Sequence, residues 1–65
     1  MNLERKHYQL IDHDKRRFID IEKVTEDRFK IQYHQGPTKS FPFHCDATAL
    51  NDMIKFYQSF HWELV

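Results

Sequence analysis

Residues 46–64 read DATALNDMIKFYQSFHWEL, and apolar side chains recur along this stretch every three or four residues. That spacing is typical of an amphipathic α-helix, because it places the apolar side chains on one stripe. Asp46 suits the N-cap position, since its carboxylate can accept hydrogen bonds from the free amides of the first turn. No glycine or proline follows, so we expect the helix to run close to the C-terminus. The stripe consists of Ala47, Leu50, Met53, Ile54, Tyr57, His61 and Leu64, with Phe60 beside it.

Two strands of a hairpin precede this helix. Residues 28–34, RFKIQYH, alternate polar and apolar side chains with the period of two that marks a half-buried strand. Gly36 and Pro37 indicate a turn, and residues 41–45, FPFHC, alternate in the same way. Proline donates no hydrogen bond to a neighbouring strand. We therefore expect Pro42 to place the second strand at a sheet edge or to interrupt it.

The first part of the chain adds strands to this hairpin. Residues 18–24, FIDIEKV, fit a strand, and the polar residues 25–27 fit the turn that leads into the next one. Residues 5–11 fit a strand with Tyr8 and Leu10 on one side, but their apolar spacing also fits a short helix. We favour the strand.

The order of these elements predicts an α+β fold. We expect residues 1–65 to form a single small domain, in which an antiparallel sheet of three to four strands is followed by one C-terminal amphipathic helix packed on one sheet face. A chain of this length buries only about 60% of the surface that its unfolded form exposes. Its core alone therefore supplies little stability, roughly 3–5 kcal/mol.

The composition argues against several functional classes. Ten basic and ten acidic residues cancel, so the chain lacks the strong positive field of a typical nucleic-acid-binding protein. No apolar run is long enough to span a membrane, and the charged N-terminal residues do not resemble a signal peptide. Cys45 is the single cysteine, which suits a reducing compartment. We therefore expect a cytoplasmic protein without a membrane partner.

The sequence offers no convincing set of catalytic or metal-binding residues. Cys45 lies between His44 and Asp46, but it continues an apolar alternation, so we interpret it as a structural thiol rather than a nucleophile. Residues 12–23 place acidic groups as a calcium loop does, but basic side chains stand where a carboxylate or a glycine is needed. A zinc site needs four ligands in closed geometry, and a chain with Cys45 as its single cysteine does not offer such a set. We expect no enzyme activity, no metal ion and no cofactor.

The aromatic residues near the C-terminus give the strongest functional hypothesis. Four large rings occur within residues 56–62, more than one sheet face can cover. A tryptophan or phenylalanine left outside a small core is typical of a contact surface. We expect Phe56, His61 and Trp62 to bind a protein partner, either a second copy in a homodimer or a larger protein. The alternative is that the N-terminal segment, with Leu3 and Tyr8, folds over these rings and buries them.

A second hypothesis is single-stranded nucleic-acid binding by a basic sheet face of a dimer. A protein that binds single-stranded nucleic acid needs cations beside aromatic rings, because the cations contact the phosphates and the rings stack on the bases. Acidic residues lie among the cations, however, and the apolar members of residues 28–34 point away from them. We therefore favour a regulatory, inhibitor or adaptor protein and keep nucleic-acid binding as the alternative. Its candidate contacts are Lys15, Arg16, Arg17, Arg28 and Lys30.

Overall fold

The computed structural model describes residues 4–65, and an antiparallel sheet with one helix on it organises this part of the chain. In chain order the elements are β1 His7–Ile11, β2 Arg17–Thr25, β3 Arg28–Gln35, β4 Thr38–Lys39, β5 Phe43–Cys45, α1 Ala47–Gln58 and β6 Glu63–Leu64. Across the sheet the order is β4-β3-β2-β1-β6, and β5 also pairs with β3. The predicted α+β fold with one C-terminal helix is confirmed. The predicted number of strands is wrong, because the sheet has six rather than three to four.

The alternation of apolar side chains decides which face of the sheet carries the helix. Leu10 lies opposite Ile19 across the β1–β2 pair, so the apolar members of neighbouring strands meet on one face. Phe29 is 1% exposed and faces the helix, as the pattern of residues 28–34 predicts. The other face of the sheet carries the polar members of each alternation. The core consists of Tyr8, Leu10, Ile19, Ile21, Phe29, Ile31, Leu50 and Ile54.

Strand β1 confirms the strand interpretation of the N-terminal region. His7–Ile11 pairs with β2 along its whole length, so the alternative helix does not form. Tyr8 is buried, and its hydroxyl accepts a hydrogen bond from the backbone N–H of Arg5 at 2.8 Å. The Arg5 guanidinium lies 4.5 Å from the centre of the Tyr8 ring. Arg5 thus packs on Tyr8, while residues 1–3 lie outside the described part of the chain.

The predicted second strand, residues 41–45, is shortened to β5, and a further short strand, β4, precedes Pro42. The chain pairs with β3 through β4 and again through β5, and residues 40–42 leave the ladder between them. Ser40 holds this break in place: its N–H donates to the carbonyl oxygen of Tyr33 at 2.9 Å, and its Oγ accepts from the Tyr33 N–H at 3.0 Å. Phe41 follows and is 94% exposed. One additional strand of the sheet, β4, therefore lies before this break.

The helix begins as the sequence predicts. Asp46 is the N-cap, and its Oδ1 accepts a hydrogen bond from the Ala49 N–H at 2.8 Å. Asp27, in the turn between β2 and β3, accepts from the Ala47 N–H at 3.3 Å, so the first turn is also tied to the sheet. α1 has 12 residues, and within residues 4–65 no helix is both long and apolar enough to cross a bilayer.

The helix ends earlier than predicted, at Gln58. The Trp62 N–H donates to the Tyr57 carbonyl oxygen at 3.2 Å and the His61 N–H donates to that of Gln58 at 3.0 Å, which is the Schellman pattern of a helix end. His61 occupies the left-handed position of this motif, with φ 70°. The chain then turns back to the sheet, where β6 pairs with β1 and Val65 exchanges two backbone hydrogen bonds with Gln9. This pairing supplies the other additional strand.

Candidate protein-binding surface

A line of aromatic rings runs from the edge strand β5 to the end of the helix. Met53, Phe56, Tyr57 and Phe60 are spaced at three and four residues, which places them on one flank of the helix. The Tyr33 hydroxyl lies 3.8 Å from Met53 Sδ, so this flank faces the β3 edge of the sheet. Each ring contacts the next at centroid distances of 5.2 to 6.2 Å. We call this group the aromatic surface; its members are Phe43, Tyr33, Tyr57, Phe56 and Phe60.

The inner and outer members of the aromatic surface differ in exposure. Tyr33 and Tyr57 are half-buried and pack against the core, whereas the side chains of Phe43, Phe56 and Phe60 are 43%, 59% and 57% exposed. Phenylalanine has no polar group that gains from contact with water. The three outer rings therefore leave apolar area that a partner can cover.

Two tyrosine hydroxyls anchor the aromatic surface from below. The Tyr57 hydroxyl donates to the Tyr33 hydroxyl at 3.2 Å. Burial raises the pKa of the Tyr33 hydroxyl, and its hydrogen bond with Tyr57 raises it further, so the Tyr33 hydroxyl stays neutral at physiological pH. The hydrogen bond between the two hydroxyls holds the inner rings in place beneath the outer ones.

The three residues predicted to contact a partner occupy different positions. Phe56 belongs to the aromatic surface. His61 is exposed and follows Phe60 directly. Trp62 is half-buried: its ring packs on Tyr57 at a centroid distance of 4.7 Å, and it lies at the edge of the core rather than on the helix. Phe43 and Phe60 were not predicted as contacts, because their exposure depends on where the helix lies over the sheet.

The candidate nucleic-acid contacts do not form one patch. Lys15 and Arg16 lie in the turn before β2, whereas Arg28 pairs with Thr25 at the far end of that strand. Arg17 and Thr25 are eight positions apart along β2, which separates these groups by about 26 Å at roughly 3.3 Å per residue. Lys30, which lies opposite Glu22, shares a face of β3 with Arg28. Residues 15–17 therefore form one group, and Arg28 and Lys30 form another.

Asp12 and Asp14 of the calcium-like segment have their hydrogen-bond partners at the hairpin turn between β1 and β2, whereas Asp20 and Glu22 lie in β2. Asp12 is 3% exposed and accepts hydrogen bonds from the Arg17 side chain, one of them from Nε at 2.9 Å. The hydrogen bond from Arg17 holds the pKa of the Asp12 carboxyl below its usual range. Asp14 Oδ1 accepts from the backbone N–H of Arg16 at 3.0 Å. These carboxylates have partners within the turn, and they do not converge on a common point.

The Cys45 thiol and the Asp20 carboxylate with its two histidine neighbours are further groups with side chains suited to catalysis or metal binding. Burial, and then the charge of Asp46, raise the pKa of the half-buried Cys45 thiol, which favours the protonated and weakly nucleophilic form.

On the open face of the sheet, Asp20 lies between two histidines. Its Oδ1 lies 3.1 Å from His7 Nε2 and forms a hydrogen bond, whereas its Oδ2 lies 3.2 Å from His34 Nε2 without hydrogen-bond geometry. Within residues 4–65, no group of histidine, cysteine and acidic side chains is arranged to hold a metal ion.

Comparisons with models of protein families, with curated proteins and with solved structures find no match to this chain. Its function is therefore inferred from its own geometry. Among the described residues, the aromatic surface carries three of the six large exposed hydrophobic side chains, and Phe41 projects from the neighbouring edge.

Proposed function

We propose that this protein is a non-catalytic docking module, which binds a second copy of itself or a larger protein through the aromatic surface. The observation that supports it is the exposure of Phe43, Phe56 and Phe60 within one continuous line of ring contacts. Scattered exposed apolar residues are common on protein surfaces, but contiguous apolar area marks contact sites. The single cysteine supports placing the module in a reducing compartment such as the cytoplasm.

The edge of the sheet offers a second contact beside the aromatic surface. β4 and β5 pair with β3 on one side only, so their outer backbone groups are available to a partner strand. Pro42 limits such pairing to the short segments on either side of it. We therefore assign most of the binding energy to the rings and a supporting role to the edge strand.

The test compares two variants that exchange exposed apolar residues for serine. In the first, Phe56→Ser and Phe60→Ser are combined; in the second, Val24→Ser alters a side chain that is 50% exposed at the end of β2. Covering a phenylalanine side chain contributes about 1.5–3 kcal/mol, and each outer ring has somewhat more than half of that left to gain. The two rings together have about 1.7–3.5 kcal/mol to gain, so the double variant should weaken association by roughly 20- to 300-fold.

Association is measured by sedimentation for self-association and by capture of partners from the native host. The proposal predicts that Val24→Ser behaves as the unaltered chain does and that the double variant loses both signals. If the double variant associates as well as the control, the aromatic surface is not the interface. Binding of a single-stranded oligonucleotide that weakens steeply with salt would favour nucleic-acid binding instead.

A further inference from the structure

A cleft opens at the end of the sheet where β2 begins and β3 ends. It lies between the C-terminal part of the helix and the β3–β4 hairpin, and its volume is about 340 Å³. Much of its lining is aromatic and includes Tyr33, Tyr57 and Trp62. Ligand sites in proteins are typically concavities of roughly 300–1,000 Å³ with apolar walls and a few polar groups. The cleft thus has room for one small molecule.

The polar groups of the cleft are cationic or neutral. Arg17 and Lys39 line it together with Thr38 and Gln35, and none of the described residues that line it is acidic. Lys15 and Arg16 lie in the adjoining turn, whose Arg16 carbonyl oxygen accepts a hydrogen bond from the Gly36 N–H at 3.3 Å. Arg17 and the two cations of the adjoining turn favour an anionic ligand at this end of the cleft.

The guanidinium of Arg17 is held in place before any ligand arrives. Asp12 accepts hydrogen bonds from its Nε and Nη2, and the centre of the guanidinium lies 5.4 Å from that of the Trp62 ring. Asp12 is buried, whereas half of the Arg17 side chain remains exposed. A guanidinium has five N–H donors. The carboxylate therefore fixes Arg17 from the protein side and leaves donors for a ligand.

We propose that this cleft binds a small molecule in which a planar ring carries a phosphate or carboxylate group. The ring stacks against Tyr57 and Trp62, and the anionic group accepts hydrogen bonds from the free donors of Arg17. Stacking on an aromatic side chain accepts many ring systems, and charge-assisted hydrogen bonds fix the anion. This site differs from the docking function, since the outer rings Phe43, Phe56 and Phe60 do not line the cleft.

The experiment uses adenosine 5′-monophosphate as the probe, with adenosine and inorganic phosphate as its two separate halves. Trp62 is the single tryptophan of the chain, so its fluorescence reports on the cleft wall, and the NMR signal of its indole N–H confirms the location. Each half supplies one set of contacts. The monophosphate should therefore bind at least about tenfold more tightly than either half alone, since one stacked base contributes roughly that factor.

Two glutamine variants test the charge without disturbing the core. Gln35→Glu places a negative charge opposite Arg17 in the cleft lining and should weaken binding of the monophosphate by about tenfold or more. Gln58→Glu makes the same change at an exposed position of α1, outside the lining, and should leave affinity unchanged in about 0.1 M salt. Thermal unfolding of both variants establishes that they remain folded.

Three results would overturn the proposal. They are equal affinity for the monophosphate and for inorganic phosphate, an unshifted indole signal at saturation, and equal effects of the two glutamine variants. Tighter binding of a single-stranded oligonucleotide than of the mononucleotide, in competition for the same signal, would show that the ligand is a strand and not a small molecule. Phe56→Ser combined with Phe60→Ser should retain binding of the monophosphate, so the docking proposal and this one fail separately.

Discussion

Replacement of His61 by glycine is expected to stabilise the protein. His61 takes φ 70°, in the left-handed region where side chains with a Cβ are strained, and it does so to end the helix and direct the chain into β6. Its side chain is exposed, so removal of the ring loses little packing. The substitution therefore changes mainly the backbone energy of one residue.

The size of the effect follows from two opposing terms. A residue with a Cβ in the left-handed region is destabilised by roughly 1–2 kcal/mol, and glycine avoids that penalty. Glycine in turn loses more backbone entropy on folding, about 0.5–1 kcal/mol. The net gain for His61→Gly is about 0.5–1 kcal/mol. Because 1 kcal/mol shifts the Tm of a domain of this size by about 4–8 °C, we expect a rise of roughly 2–8 °C.

The assay is thermal unfolding followed by circular dichroism, with urea unfolding at 25 °C as the second measure. Gln58→Gly is the control, since Gln58 is the last residue of α1, in right-handed backbone, where glycine costs about 0.5–1 kcal/mol. The two substitutions should therefore have opposite signs. A Tm that falls or stays constant in His61→Gly, while Gln58→Gly destabilises as expected, would refute the left-handed helix end.

Three other perturbations test separate parts of the structure. Because Arg17 holds the pKa of Asp12 below its ordinary value of 3.8, the stability that this carboxylate contributes is present above that value and is lost as the pH falls through the lower folded-state value. Asp12→Asn should therefore flatten the pH dependence of urea unfolding in acid, and an unchanged profile would contradict the pairing. The Cys45 thiol, whose pKa is raised, should react with iodoacetamide at least about tenfold more slowly in the folded protein than in urea; equal rates would show that it is freely accessible and ionised. Leu64→Ala should cost about 1–2 kcal/mol in urea unfolding, since this half-buried residue packs beside β1, and a negligible change would argue against β6.

Much of the fold could be predicted because its signals are local. The alternation within residues 28–34 and the stripe within residues 46–57 each follow from the geometry of one element. The helix end could not be predicted in this way, because nothing in residues 59–62 forbids further helix. Instead of continuing the helix, the chain forms β6 and pairs with β1, which lies more than fifty residues earlier in the sequence. This pairing allows Val65 to form two backbone hydrogen bonds with Gln9. Tertiary contacts of this kind override local preference.

The candidate surface was predictable only in part for a related reason. Phe56 stood out because of its position at the margin of the helical stripe. The exposure of Phe43 and Phe60 depends on where the helix lies over the sheet, which no local pattern encodes. In the same way, residues 15–17 and Arg28 look like one basic group in sequence, but β2 holds them at opposite ends of the sheet. Position along the strand, rather than residue type, therefore decides whether these cations form one patch.

The aromatic surface is a consequence of the dimensions of the fold. The sheet is five strands wide where β5 or β4 adds to β3, and strands spaced at about 4.8 Å extend it to roughly 19 Å. A helix with its side chains is only about 10–12 Å wide. Since α1 contacts both β3 and β6, it lies over the middle and the β6 side of the sheet, and the β5 edge extends beyond it. Phe43 on that edge and Phe56 and Phe60 on the facing flank are therefore left half-covered, and a second helix or a partner protein is what would complete the layer.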